Sequence, residues 1–154
     1  MTFSATRPRA AAAVLRSQSE EILLVKHRWR DGTTSWILPG GALLPEEMPE
    51  EAALRELYEE TGLKGSILRF LFTLPYELGT STTFLVEVDA DAQVALGYDP
   101  EEAQEEQKML EDVAWFSIQD VHEHPEVRQV LACLHWPGGD HHEGWERPSH
   151  VGGK

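Results

Sequence analysis

The chain has 154 residues, 41% of them apolar, and carries 27 acidic against 13 basic residues for a formal net charge of −14. That length points to one domain with room for a real core, and so acidic a surface argues against nucleic-acid polymers and acidic membranes as partners. The single cysteine, Cys133, rules out an internal disulfide or a cysteine-built zinc site and is expected as a buried structural thiol.

The first elements read as strands. Arg9 to Arg16 (RAAAAVLR) and Ile22 to Arg28 (ILLVKHR) are apolar runs, with a turn over Ser17 to Glu21 between them. The segment RPRAAAAVL could pass for a secretory leader, but its apolar stretch is too short and SQSEE follows at once. No run approaches the ~20 apolar residues of a membrane span, and a cytoplasmic location is the default expectation. Basic residues crowd the first thirty positions, as Arg7, Arg9, Arg16, Lys26, Arg28 and Arg30; Arg28 and Arg30 are candidate phosphate contacts. Trp36-Ile37-Leu38 is a short strand that runs into Pro39-Gly40-Gly41, a turn signal.

A helix follows. Pro49 suits its first position, where a missing N–H costs little. Residues 50 to 60 (EEAALRELYEE) are strong helix formers, and Gly62 is placed to end the helix in the left-handed conformation. Ala53, Leu54 and Leu57 make a narrow buried stripe. Glu56, Glu59 and Glu60 make a second stripe, because positions three and four apart share a helix face. Like charges so placed cost a bare helix a few tenths of a kcal/mol per pair. A hard divalent cation such as Mg²⁺, which takes oxygen ligands and bridges to phosphates, would reverse that sign. Arg55 lies within the acidic run, and its fork can hold a carboxylate through two bonds. A solvated acidic face is the plain alternative for a glutamate-rich helix; the flanking glycines and the Arg-Glu pair weigh against it.

The whole stretch from Gly41 to Leu63 reads GALLPEEMPEEAALRELYEETGL and fits G-x5-E-x7-R-E-U-x-E-E-x-G-U, with U a bulky apolar residue. It resembles the signature box of the Nudix hydrolases, the MutT-like enzymes, with every defining position filled. The resemblance implies an α/β fold, a Nudix-type α/β/α sandwich with a mixed β-sheet between helices, over roughly residues 8 to 136. It also implies a pyrophosphatase that hydrolyses the diphosphate linkage of a nucleoside diphosphate joined to another moiety X, with Mg²⁺ or Mn²⁺ as cofactor. Carried over by position, Glu56 and Glu60 are the principal metal ligands and Glu59 a further one, often through water. Arg55 orients Glu56, Glu47 supports the site, a carbonyl near Gly41 ligates metal, and Gly62 closes the box helix. Arg55, Glu56 and Glu59 are the expected catalytic residues, and the general base varies among relatives. Two positions depart from the commoner pattern. Glu46 stands where glycine is frequent, and Met48 where a Ser or Thr cap is frequent, a loss of ~1 kcal/mol to the helix.

Beyond the box, residues 66 to 76 and 82 to 88 read as a strand pair and 113 to 117 as another strand. Gln119 to Trp136 suits a helix, with Val127, Val130, Leu131 and Leu134 at helical spacing and Pro125 marking a second place for it to begin. Residues 89 to 112 form an acidic connection, read as a solvated loop or short helix. Because many Nudix enzymes draw an extra ligand or base from the loop before the last core strand, Glu102, Glu105 and Glu106 are candidates for that carboxylate. Trp29, Trp36, Tyr76 and Phe84 are candidates to stack on a base, each with core packing as the alternative. Residues 137 to 154 read as a tail after a domain of residues 1–136. Its His141, His142 and His150, with His135, lack any ligand spacing that would favour a transition-metal site, and Trp145 is free to pack on the domain or a neighbouring subunit. A small nucleotide diphosphate derivative is the expected partner, and a homodimer is compatible with the sequence. The rival reading is a non-catalytic nucleotide-binding or regulatory module on the same fold; such relatives typically lose box carboxylates, which this chain keeps.

Overall fold

Strand β1 (Arg9–Arg16) faces a helical layer on each side. In the computed structural model, which describes residues 7–16, 18–76, 79–97 and 108–135, its side chains alternate with a period of two. Ala10, Ala12 and Val14 pack with Ala52, Ala53 and Leu57 of helix α1 (Pro49–Thr61). Ala11 and Ala13 pack on the other face with Val127, Val130 and Leu131 of helix α3 (Pro125–Cys133). The four consecutive alanines are fully buried, as a strand covered on both faces requires.

Strand β2 (Glu21–Trp29) leaves β1 by a hairpin, and the two pair only at Leu15 with Ile22 and Arg16 with Glu21. They then diverge, and residues 34–42 fill the fork. Strand β3 (Thr34–Ile37) pairs antiparallel with β2, and β4 (Gly40–Ala42) pairs antiparallel with β1. Where the chain crosses between them, the Pro39 carbonyl accepts the Ala12 N–H at 2.9 Å. On the other edge of β1, β6 (Gly79–Val88) runs parallel to it, with β5 (Gly65–Tyr76) antiparallel outside. Strand β7 (Lys108–Ser117) covers the remaining edge of β2 and leads into the short helix α2 (Ile118–Val121). This is the mixed sheet between helices that the resemblance implies. No helix among the described residues is long and apolar enough to cross a membrane.

Three local expectations change. Pro39-Gly40-Gly41 is not a free turn: Gly40 and Gly41 belong to β4, and neither has positive φ. Glycine is needed there for close approach, since a Cβ on Gly40 would collide with the Ala10 carbonyl and Ala11. The last part of the acidic connection, residues 108–112, is strand, because β2 offers partners as far as Trp29. Glu111 is the extra residue of a bulge between the pairs Lys26 with Asp112 and His27 with Leu110. The C-terminal helix divides into α2 and α3, and α3 begins at Pro125 with the His124 ring accepting the Glu126 N–H at 3.1 Å. Residues 98–107 of the acidic connection and the tail from 136 lie outside the described residues.

Helix α1 ends as expected, at Gly62 with φ 79° and its N–H on the Tyr58 carbonyl at 2.8 Å. Its start lacks a capping side chain at Met48, but the Glu51 carboxylate accepts the Met48 N–H at 2.9 Å. Just before it, Glu46 holds φ at 68°. The left-handed region costs a non-glycine residue about 1–2 kcal/mol, against roughly 0.5–1 kcal/mol for the extra freedom glycine has when unfolded. Glu46→Gly is therefore expected to stabilise the fold by ~0.5 kcal/mol. Urea denaturation checks it, and a lowered midpoint would show that Glu46 has compensating contacts.

Candidate active site

The buried face of α1 has two rows. Ala53, Leu57 and Thr61 form one, and Ala52, Glu56 and Glu60 the other. The sequence suggests a narrow apolar stripe with a separate acidic one; in the structure the acidic row is part of the packed face. Glu56 and Glu60 have no exposure at all, and Leu54 is only partly buried.

Strand β4 meets this row. A Cβ on Gly41 would run into the carboxylate of Glu56, so glycine leaves the space that the carboxylate fills. The Gly40 N–H donates to Glu60 Oε1 at 3.1 Å. From β2, His27 Nε2 stands 3.7 Å from Glu60 Oε2, and both side chains are fully buried. Glu60 thus touches both arms of the fork.

Arg55 gathers the remaining groups. Its Nε and Nη2 donate to the two oxygens of Glu47 at 2.7 and 2.9 Å, and Nη2 also donates to the Ala42 carbonyl at 3.0 Å. Its Nη1 donates to Glu56 at 3.3 Å and Glu59 at 3.1 Å. One guanidinium therefore separates Glu56 from Glu59 and ties the box loop to the helix. The bond from Arg55 is the main reason the Glu47 carboxyl lies below its usual range, and Glu47 in turn raises the Arg55 guanidinium. Glu47 also accepts the Leu44 N–H at 2.8 Å, which closes the turn of the box loop.

The donors gathered here are oxygens, which suits a hard divalent cation. No three His, Cys, Asp or Glu side chains among the described residues form a ready-made metal cage. Mg²⁺ does not ask for one: it is usually held by one or two carboxylates, with waters and substrate phosphates completing its shell. Glu56 and Glu60, beside the glycine cradle of β4, fit that requirement, and Glu59, partly exposed on Arg55, borders them.

Other candidates are spread more widely. Arg28 pairs with Glu111 and donates to the Gly32 carbonyl at 3.2 Å, while Lys26 Nζ lies 3.7 Å from the same Glu111. Glu111 belongs to no motif in the sequence, and the bulge that aims it is not legible in the residues around it. Arg28 is the main cause of the lowered Glu111 carboxyl. Arg30 is exposed beyond the end of β2. Trp36 packs edge-on against Phe116 at 4.8 Å, and Phe84 is a core residue edge-on to Phe70. The Tyr76 hydroxyl donates to the Arg7 carbonyl. Cys133 is half-buried with its thiol 3.5 Å from the Leu71 carbonyl. A separate groove lined by Arg16, Lys64, Ser66 and Glu87 lies at the far end of β1 and does not touch the box carboxylates.

The acidic connection starts from the box helix itself. The Ala95 and Gly97 N–H groups donate to the Thr61 and Glu60 carbonyls at 2.9 Å each, and a Cβ on Gly97 would collide with the Glu59 carbonyl. Glu102, Glu105 and Glu106 lie outside the described residues.

Acid should act on this site with a definite sign. Glu47 titrates below the ordinary glutamate value when folded, so its contribution to stability is present above that ordinary value and is lost as pH falls through the folded pKa. In metal-free Arg55→Gln, the Glu47 carboxyl followed by ¹³C NMR is expected to titrate higher than in the parent. An unchanged titration would mean that Arg55 is not what holds it down.

Comparison with known proteins agrees with this architecture. A 67-residue segment is 49% identical to mouse diphosphoinositol polyphosphate phosphohydrolase 3-alpha, covering 42% of this chain and 39% of that protein. The human diphosphoinositol polyphosphate phosphohydrolase 2 matches equally, over 36% of its length. The chain thus spans under two fifths of these relatives. Among solved structures, the E. coli ORF135 protein superposes with a TM-score of 0.62 at 17% identity, over 90% of this chain and 96% of that one. A C. elegans Ap4A hydrolase does so at 0.62 and 20% identity, over 82% and 92%. These two likenesses concern the fold alone. The family model described as the NUDIX domain matches residues 6–137, most of the chain, and the protein belongs to that family.

Proposed function

We propose that the protein hydrolyses a diphosphate linkage in a small anionic substrate, a nucleoside diphosphate joined to another moiety, with Mg²⁺ or Mn²⁺ as cofactor. The observation that carries the reading is the pair of fully buried carboxylates, Glu56 and Glu60, set against a glycine strand and braced by Arg55. Such a pair is costly to bury without a function or a counter-charge. In this reading Glu56 and Glu60 hold the metal, with Glu59 and a carbonyl near Gly41 as further donors. The bound ion supplies charge stabilisation on the phosphate oxygens and an activated water. Arg55 fixes Glu56 and Glu59, and Glu47 fixes Arg55. One of Glu102, Glu105 or Glu106 adds a carboxylate from the connection that Ala95 and Gly97 anchor to α1.

A second reading of the substrate has its own support. The relatives at 49% identity are named for diphosphoinositol polyphosphates, which need cations and no base-stacking ring. Trp36 and Phe84 are engaged in packing, while Lys26 and Arg28 stand together on β2. The two readings share the diphosphate and the metal.

Purified protein should turn over at least one member of a panel of nucleoside diphosphate derivatives and diphosphoinositol polyphosphates, and only with a divalent ion. Full activity in excess EDTA would refute the metal. Specific binding without turnover across the panel would favour the non-catalytic module. Glu56→Gln and Glu60→Gln each should lower kcat by at least ~10²-fold with the fold intact, measured at saturating substrate; near-parental rates in both would remove these residues from the site. Single Gln substitutions at Glu102, Glu105 and Glu106 should give one large loss in kcat and two near-silent variants, and three silent variants would leave this segment a solvated loop.

A further inference from the structure

We infer that His27 is a positioning residue for Glu60: from β2 it bounds the second oxygen of that carboxylate, so that the metal affinity of the site depends on a strand outside the box. The inference rests on the proposed metal-binding role of Glu60 and goes beyond it.

The geometry is specific. Glu60 sits where β1 and β2 diverge. Its Oε1 takes the Gly40 N–H from the β4 arm, at 3.1 Å. Its Oε2 faces His27 Nε2 from the β2 arm, at 3.7 Å, with both side chains fully buried. Leu23, on the same side of β2, packs in the core shared with α1, and His27 continues that row toward the box helix. The Gly40 N–H contact is a hydrogen bond and the His27 approach an ion-pair contact, beyond hydrogen-bond distance; together they bound the carboxylate from two arms, which one contact does not. Groups that orient a metal-binding carboxylate from behind typically change metal affinity or activity by 10–100-fold when removed. The segment after β2 also sets the arm spacing, since His27 pairs with Ser35 of β3, one strand short of Gly40.

The test uses Mn²⁺ alone as probe, with free ion counted by EPR in the 154-residue chain without substrate. Four variants are compared: His27→Phe keeps ring volume without a polar atom, His27→Gln keeps a donor at the reach of Nε2, His27→Asn keeps polarity but falls short, and Glu60→Gln removes the ligand charge. The expected result is a Mn²⁺ dissociation constant raised ~10-fold or more in His27→Phe and His27→Asn, and restored to within ~3-fold by His27→Gln. Circular dichroism and thermal melts confirm folding, and should His27→Phe fail to fold, the Asn and Gln pair carries the comparison. A purely structural role would shift the melting temperature of these variants and leave the Mn²⁺ constant of the folded fraction unmoved. Parental Mn²⁺ affinity in folded His27→Phe or His27→Asn overturns the inference while Glu60→Gln still weakens binding. Parental affinity in Glu60→Gln overturns the metal role of Glu60, and the inference with it.

Discussion

A helix that buries two carboxylates dictates much of its surroundings. Removing an ion from water costs several kcal/mol even after relaxation, so Glu56 and Glu60 must find partners within reach of α1. The nearest backbone belongs to β4, and it can come close only because residues 40 and 41 lack side chains. Gly40 then supplies an N–H to Glu60, and Arg55, one residue before Glu56, reaches back across the loop to Glu47 and the Ala42 carbonyl. The loop between β4 and α1 is thus held at both ends by the groups that the buried carboxylates need.

The fork in the sheet is the second half of that arrangement. Had β1 and β2 stayed paired beyond Leu15 and Ile22, there would be no place for β3 and β4, and α1 would pack against a continuous sheet. Divergence after two residue pairs opens a wedge that the chain fills with TSWILPGGA. Opening the sheet there exposes the ends of two strands to the same helix row. That is how residues as distant in sequence as His27, Gly40 and Glu60 come into one place.

What could be read from the residues divides along the same lines. The box helix was legible to its ends, because Pro49, Gly62 and the helix formers between them act locally. So were the β1 strand and its hairpin, where apolar runs are separated by a polar turn. The box spacing gave the family, which the match over residues 6–137 bears out. The wedge was not legible: Pro39-Gly40-Gly41 has turn chemistry, and only contact with Ala10, Ala11 and Glu56 makes it strand. The early part of β7 was equally hidden, because residues 108–112 (KMLED) show no strand alternation and become strand by pairing with β2. At the site, helical periodicity places Glu56 and Glu60 on one face, but it cannot say that this face is buried. Nor can it distribute the Arg55 guanidinium among three carboxylates, or pair Glu111 with Lys26 and Arg28 across two strands.

The charge of the chain frames the remaining chemistry. At −14 overall, the molecule repels a phosphate-rich ligand at distance, and at physiological salt that repulsion fades beyond about 8 Å. Attraction must therefore come from close by. On β2, Lys26 and Arg28 share Glu111, so that three-residue group contributes one net positive charge rather than two. Arg55 is committed to Glu47, Glu56 and Glu59, which together outweigh it. The described side chains around the box thus carry more negative than positive charge. On the proposed function, a diphosphate can approach such a row only if cations arrive with it or before it. The same carboxylates that make the bare row hostile to an anion are the groups suited to recruit those cations, so ligand binding and metal binding are expected to be coupled in this site rather than independent.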